Sequence, residues 1–315
     1  MSIMSSLNNP ALRTTPPDLN LVAAPPFAAF RGVCDSHVHV FGPADRVPYA
    51  PGRKYTPADA SVKHLQALHA QLGVERVVVV QPSPYGSDNA CLMDSLQRLG
   101  SQARGVAQID SSTTEQELDA MHQVGVCGVR LNLEVGGLND PTFARQQVQW
   151  ITKRIANHGW HLQLFTNLAV VASLHDTIKS YAVPPIVVDH FCLAQASLGT
   201  NQPGFSELIS LVRSGKVWVK LSAPQRISDE PDGPDVTALA RALIEANPER
   251  MLWGSDWPHP GPWPNVVRSP DAIEPFHAID DAHALKRLAR WAESPKIIRQ
   301  ILIDNPSRLY GFPPG

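Results

Sequence analysis

The chain has 315 residues but only four cysteines, Cys34, Cys91, Cys127 and Cys192, and no Cys-x-x-Cys pair. That argues against a disulfide framework or a zinc knuckle and fits reduced thiols in a cytoplasmic protein. No apolar run approaches the roughly 20 residues of a membrane-spanning helix. No basic start followed by an apolar stretch marks a secretory signal. Net charge is −2 and Lys/Arg blocks are absent, so neither nucleic acid nor membrane is expected as a partner. No Gly-x-Gly-x-x-Gly follows the first apolar run, which leaves a dinucleotide-binding fold little support. Residues 1–30, rich in Pro, Asn, Ser and Thr, read as an extended arm. Residues 31–315 read as one domain.

What is present is an alternation. Strand-like apolar runs fall at 33–40, 76–82, 104–109, 127–133, 161–166, 185–190, 216–222 and 250–255. Helix signals lie between them. Thr56-Pro57 predicts an N-cap followed by proline at the first helical position. Ser112-Thr113-Thr114-Glu115 reads as a capping box for a helix that Gly125 ends. Asp140-Pro141 opens a helix closed by Gly159. Pro203-Gly204 and Pro234-Asp235 lead into two more, and Asp280-Asp281 into helices over 281–293 and 295–304. Eight strands with helices between them predict a (β/α)8 TIM barrel, with a doubly wound open sheet as the alternative.

In such a barrel the reactive groups sit at the C-terminal ends of the strands. The first run offers His37 and His39, two apart and therefore on one strand face. Adjacent imidazoles can hold a metal or polarise a carbonyl. The second run offers Gln81 and Ser83, the fourth Arg130 and Asn132, the fifth Asn167, and the sixth His190. Arg226 follows the seventh run. Asp256 ends the eighth, with His259 just beyond it. Arg130 lies inside the apolar run Gly128-Val129-Arg130-Leu131, where a charge is expected to be paired or to face a ligand. Asp189 alternates away from His190 and is expected to face the helical layer. His64, His69, His122, His158, His175, His277 and His283 fall on helical segments and read as surface residues. His161 opens the fifth strand at the opposite mouth and is given no role.

His37-x-His39, His190 and Asp256 on strands one, six and eight resemble the amidohydrolase superfamily. One subgroup is matched in order. Its first half corresponds to Asp35-Ser36-His37-Val38-His39-Val40-Phe41-Gly42-Pro43, Lys54-Tyr55-Thr56-Pro57, Ser87-Asp88-Asn89 and Gly128-Val129-Arg130-Leu131-Asn132. Its second half corresponds to Val188-Asp189-His190, Trp253-Gly254-Ser255-Asp256-Trp257-Pro258-His259-Pro260 and Asn305-Pro306-Ser307-Arg308-Leu309-Tyr310. Residues 33–312 are similar to the 2-pyrone-4,6-dicarboxylate lactonase subgroup, which includes sulfomuconolactone hydrolases and sugar-acid lactonases. The motifs are specific for the family and much less so for the substrate.

The resemblance implies a hydrolase that opens a small anionic lactone in aromatic or sugar-acid catabolism, without a metal. Asp256 would be the general base, His37, His39 and His190 would polarise the carbonyl, and Tyr55, Ser83, Arg130, Asn167, Arg226 and His259 would hold the substrate. Binuclear relatives draw a carboxylated lysine or glutamate from strand four and a histidine from strand five. Here those places hold Arg130 or Asn132, and Asn167, and arginine cannot ligate a metal. Phe165 stands where the lactonase subgroup has a tyrosine and Leu193 where it has an arginine. A second arginine beyond strand four has no counterpart in Glu134-Val135-Gly136-Gly137-Leu138. The pyrone dicarboxylate is therefore a poor match, and a lactone with fewer or differently placed anionic groups fits better. Three alternatives stay open. They are a hydrolase or decarboxylase with one zinc on His37, His39, His190 and Asp256, a lactone isomerase, and a non-catalytic binding protein. A monomer or small homo-oligomer is expected.

Overall fold

The computed structural model describes residues 27–135, 137–138, 140–180, 183–262 and 266–314. Residues 1–26 of the expected arm lie outside the described residues. Phe27 and Phe30, at its end, stack on each other and against the core.

Eight parallel strands form one sheet in chain order: β1 (Cys34–Val38), β2 (Arg76–Val80), β3 (Ala103–Ala107), β4 (Val126–Asn132), β5 (His161–Phe165), β6 (Ile186–Val188), β7 (Val217–Ser222) and β8 (Met251–Gly254). The sheet closes just past its last strand. Asp256 N–H donates to the His37 carbonyl at 2.9 Å, and His39 N–H donates to the Trp257 carbonyl at 2.8 Å. The eight sequence runs thus become the eight staves of a barrel. Their near-continuous apolar character, as in Arg76-Val77-Val78-Val79-Val80, suits strands buried on both faces.

Side chains sort by parity. Val77, Val79, Leu162, Leu164, Val219 and Leu221 join the large core under the helices. Cys34, Val78, Val80, Val106, Val187, Trp218 and Leu252 fill the barrel itself. The C-terminal segment plugs the N-terminal mouth with Tyr310 and Phe312. Arg104 holds it there by donating to the Tyr310 and Gly311 carbonyls at 3.0 and 2.8 Å. His161 belongs to this closed end, bonded to the Cys127 carbonyl at 2.8 Å and edge-on to Tyr310.

Two helix signals shift. Thr56–Pro57 does not start a helix but forms a two-residue parallel pair with Ile273–Glu274 over the barrel top. The helix begins after Ser61, whose side chain accepts from His64 N–H. The second capping box lies two residues later than expected, between Thr114 and Glu117. Asp140 caps its helix as expected, accepting from Phe143 N–H at 2.7 Å. Among the described residues, no helix is long and apolar enough to cross a membrane.

Closure leaves no room at Gly254. A Cβ there would lie 2.7 Å from His37 Cβ and 2.8 Å from His37 N. Gly254→Ala is expected to cost about 1–3 kcal/mol through overpacking. Gly52→Ala, in open space, should stay within about 0.5 kcal/mol. Urea unfolding compares them, and equal stabilities would contradict this packing.

Candidate active site

Irregularities in the backbone bring the reactive groups together. The β1–β2 register slips between Asp35 and Val38. Val38 therefore turns to the outer core, while His37 and His39 both look into the barrel. Behind them Asp35 accepts from Ser255 N–H at 2.9 Å and from His37 N–H at 3.2 Å. It also meets His69 at 3.3 Å. His69 is thus buried and tied to β1, contrary to its reading as a surface residue.

Strand β6 stops at Val188, and residues 190 to 193 take positive φ values of 50, 56, 56 and 49°. Asp189 was expected to face the helical layer on strict alternation. It instead turns inward in parity with Val187, and it is His190, in the left-handed turn, that departs from alternation and joins it on the same side. Asp256 is also left-handed, at φ 65°. Non-glycine residues in this region cost on the order of 1–3 kcal/mol each and persist where the surroundings fix them.

The result is a cup. The Nε2 atoms of His37, His39 and His190 each lie 3.7 Å from Asp256 Oδ1. All four side chains are buried, and Asp256 Oδ1 accepts no hydrogen bond. Its other oxygen, Oδ2, accepts two bonds from Arg226, from Nε at 3.0 Å and Nη2 at 2.8 Å. His39 Nδ1 lies 2.8 Å from the Val80 carbonyl, so that nitrogen carries the hydrogen and Nε2 is bare. His190 Nδ1 meets Ser222 Oγ at 2.8 Å. Below the cup, Lys220, Asp189 and Gln163 form a fully buried layer.

Burial, with Lys220 next in weight, lowers the His37 pKa well below its ordinary value. Burial, then Arg130, pushes His39 down to about 3. Burial, then His37, lowers His190 well below its ordinary value. The three rings are therefore neutral near pH 7. Burial raises the Asp256 carboxyl, and Arg226 opposes the rise. Arg226, and not the neutral imidazoles of the cup, is the main group that favours the ionised form. Burial also favours a protonated Asp189, but Lys220 and Arg130 outweigh it and hold its pKa low.

Above the cup a narrow throat is lined by His39, Tyr55, Ser83, Arg130, Asn132 and Phe165 among others. It opens to a cavity of about 780 Å³ bounded by Glu134, Val135, Leu193, Arg268, His277 and Ile279. Arg130 stacks over Phe165, 5.0 Å from the ring centroid. Tyr55, Ser83, Arg130 and Arg226 thus converge as expected. Asn167 and His259 do not line this space. Asn167 caps the helix that follows, accepting from Val170 N–H at 3.2 Å and donating to Glu134 at 3.0 Å. His259 is buried against Asp281 at 3.2 Å and holds the loop after Asp256. Gln81 donates to the Gly86 and Asp88 carbonyls and shapes a loop.

Two cationic residues escaped the sequence reading. Lys220 sits in Val217-Trp218-Val219-Lys220-Leu221, the same kind of signal that singled out Arg130. Arg268 comes from an irregular loop with no periodic signal. It lies 3.8 Å over the Tyr55 ring and is paired with Glu274.

Neutral burial of His39 has a measurable consequence. The unfolded chain takes up a proton on this residue below about pH 6.5, which the folded protein refuses down to about pH 3. Its contribution is thus complete above pH 6.5 and lost as pH falls, by up to about 1.4 kcal/mol per unit. Urea denaturation from pH 7.5 to 4.5 should show a shallower acid loss in His39→Gln, by about one proton. Identical slopes would contradict a neutral His39.

A family model described as amidohydrolase matches residues 34–312. A 2-pyrone-4,6-dicarboxylate hydrolase of Comamonas testosteroni is 36% identical over 298 residues, covering 91% of this chain and 92% of that one. A 4-sulfomuconolactone hydrolase of Hydrogenophaga intermedia is 36% identical over 284 residues, 89% of each. A solved structure from Pseudomonas putida, assigned as a 2-pyrone-4,6-dicarboxylic acid hydrolase, superimposes with a TM-score of 0.74 at 32% identity, over 90% of this chain and 99% of that one.

Proposed function

The chain belongs to the amidohydrolase family, and from that premise we propose that it hydrolyses a small anionic lactone, with Asp256 as base and no metal. The observation that carries this reading is the cup, in which a buried carboxylate oxygen without a hydrogen bond faces three neutral imidazoles. The hydrolase relatives support a lactone as the substrate class.

In the proposed reaction a water lies on Asp256 Oδ1. Its oxygen attacks the ring carbonyl carbon while Asp256 takes a proton. A pKa raised by burial suits a base working near neutrality, and Arg226 keeps the carboxylate charged and aimed. His37 and His190 donate to the carbonyl oxygen and to the oxyanion that follows, each worth about 3–4 kcal/mol. The intermediate collapses, the ring C–O bond breaks, and Asp256 returns its proton to the leaving oxygen. His39 differs from the role first given it. Its hydrogen is committed to Val80, so its bare Nε2 accepts a hydrogen bond rather than polarising the carbonyl.

The anionic group of the substrate sits against Arg130, Tyr55 and Ser83. The opposite wall carries Leu193, Val135, Ile279 and the Glu134 carboxylate, which disfavours a second anionic group there. A panel of muconolactone-type, sulfonated, pyrone and sugar-acid lactones tests this. A lactone with one anionic group should give a higher kcat/KM than the pyrone dicarboxylate. Glu134→Gln should narrow that gap by about tenfold, the scale of one weakened charge contact. Asp256→Asn should fold normally and lower kcat by about 10²–10⁴-fold. Near-normal rates in that variant would refute the assignment.

A second reading, a single zinc on His37, His39, His190 and Asp256, is favoured by donor type and by the convergence of His37, His39 and Asp256, with His190 Nε2 3.7 Å from Asp256. Bound there, zinc would polarise the carbonyl. What speaks against it is His37. A zinc-bound imidazole turns its other nitrogen toward an acceptor, whereas the hydrogen-bond partner of His37 Nδ1 is the Lys220 ammonium at 3.2 Å, with the Asp189 carboxylate beside it at 3.3 Å.

A further inference from the structure

We infer that Lys220 is a positioning residue that, with Gln163 and Asp189, fixes His37 in the tautomer whose Nε2 carries the hydrogen and points at the reacting carbonyl. The inference rests on the proposed lactone hydrolysis for its purpose but on separate observations for its geometry. Lys220 is fully buried in the middle of β7, where a lone ammonium is costly to place. It is not among the residues lining the throat or the cavity, so it acts through a neighbour. Its Nζ lies 2.7 Å from Gln163 Oε1, 3.2 Å from His37 Nδ1 and 3.5 Å from Asp189 Oδ1. An ammonium has hydrogens to donate and no acceptor; here it donates to Gln163 and His37, with Asp189 Oδ1 as an ion-pair contact.

The orientation of Gln163 agrees, since its Nε2 donates to Asp189 Oδ2 at 3.1 Å and leaves Oε1 to accept from Lys220. Asp189 Oδ1 is 3.3 Å from His37 Nδ1 but accepts no hydrogen bond. It therefore does not draw the hydrogen to that nitrogen. With Nδ1 accepting from Lys220, a neutral His37 must carry its hydrogen on Nε2.

The chain of donors then runs one way. Lys220 donates to His37 Nδ1, His37 Nε2 to His39 Nε2 at 3.3 Å, and His39 Nδ1 to the Val80 carbonyl at 2.8 Å. Without substrate, the His37 hydrogen rests on His39. When a lactone enters, its carbonyl oxygen takes that hydrogen bond. The bare His39 nitrogen thus keeps the donor in place between turnovers.

Nitrogen-15 imidazole spectra of the full-length protein, read through two-bond proton couplings, test this without any substrate. His37 is assigned by its loss in His37→Asn. In the wild type, His37 should show a bare Nδ1 and a protonated Nε2. In Lys220→Met, where Arg130 and Gln163 still partner Asp189, the hydrogen should move to Nδ1. With a turned-over lactone, kcat should then fall about 100-fold while KM stays within about threefold, a loss confined to the transition state. A wild-type His37 protonated on Nδ1 or on both nitrogens would overturn the inference even if the variant fails to fold. So would a folded Lys220→Met with an unchanged tautomer or unchanged kcat. If no lactone turns over, the hydrolase reading fails while the spectra still decide the role of Lys220.

Discussion

The paired bonds from Arg226 to one oxygen of Asp256 set the terms for the rest of the site. A carboxylate removed from water and ringed by uncharged imidazoles would otherwise take up a proton. Arg226 offsets that tendency from the side while leaving Oδ1 unencumbered. The separation of roles follows from geometry. One oxygen is held by a cation, and the other accepts no hydrogen bond. The three rings contribute direction rather than charge.

Holding these groups in place costs backbone regularity. Asp256 and residues 190 to 193 have left-handed φ values, and β1 slips its register at the histidine pair. Each departure lies at the C-terminal rim of the barrel. The closed end, filled by Trp218, Leu252, Tyr310 and Phe312, is ordinary packing. Between the two lies the buried Lys220–Asp189–Gln163 layer, a polar floor that ties β5, β6 and β7 together under the rings. Buried ionic networks are weak evidence for stability. Their place here, directly beneath the reactive nitrogens, makes orientation the more economical explanation.

The sequence made the barrel legible because strands buried on both faces leave uninterrupted apolar runs, such as Val77 to Val80 and Val217 to Val219. His37, His39, His190 and Asp256 were legible because each ends such a run. Asp189 was misplaced because its side was counted from His190, which lies past the three-residue β6 in a left-handed turn, whereas parity with Val187 puts Asp189 inside. Thr56-Pro57 carried a helix-start signal, but the pairing with Ile273–Glu274 prevailed over it. Lys220 had the same signature as Arg130, a charge within an apolar strand, and parity with Ser222 would have placed it inside. Arg268 and the capping role of Asn167 depend on tertiary contacts that no local pattern records. The position of His259 away from the throat was hidden for a similar reason, since its partner Asp281 is 22 residues away.

Solvent oxygen-18 measured on metal-stripped protein tests the central claim most directly. The account predicts that, after removal of bound metal and in the presence of chelator, an anionic lactone is opened at an undiminished rate and one solvent oxygen enters the product carboxylate. A product with no solvent oxygen, or a rate lost on stripping and restored by added zinc, would contradict it.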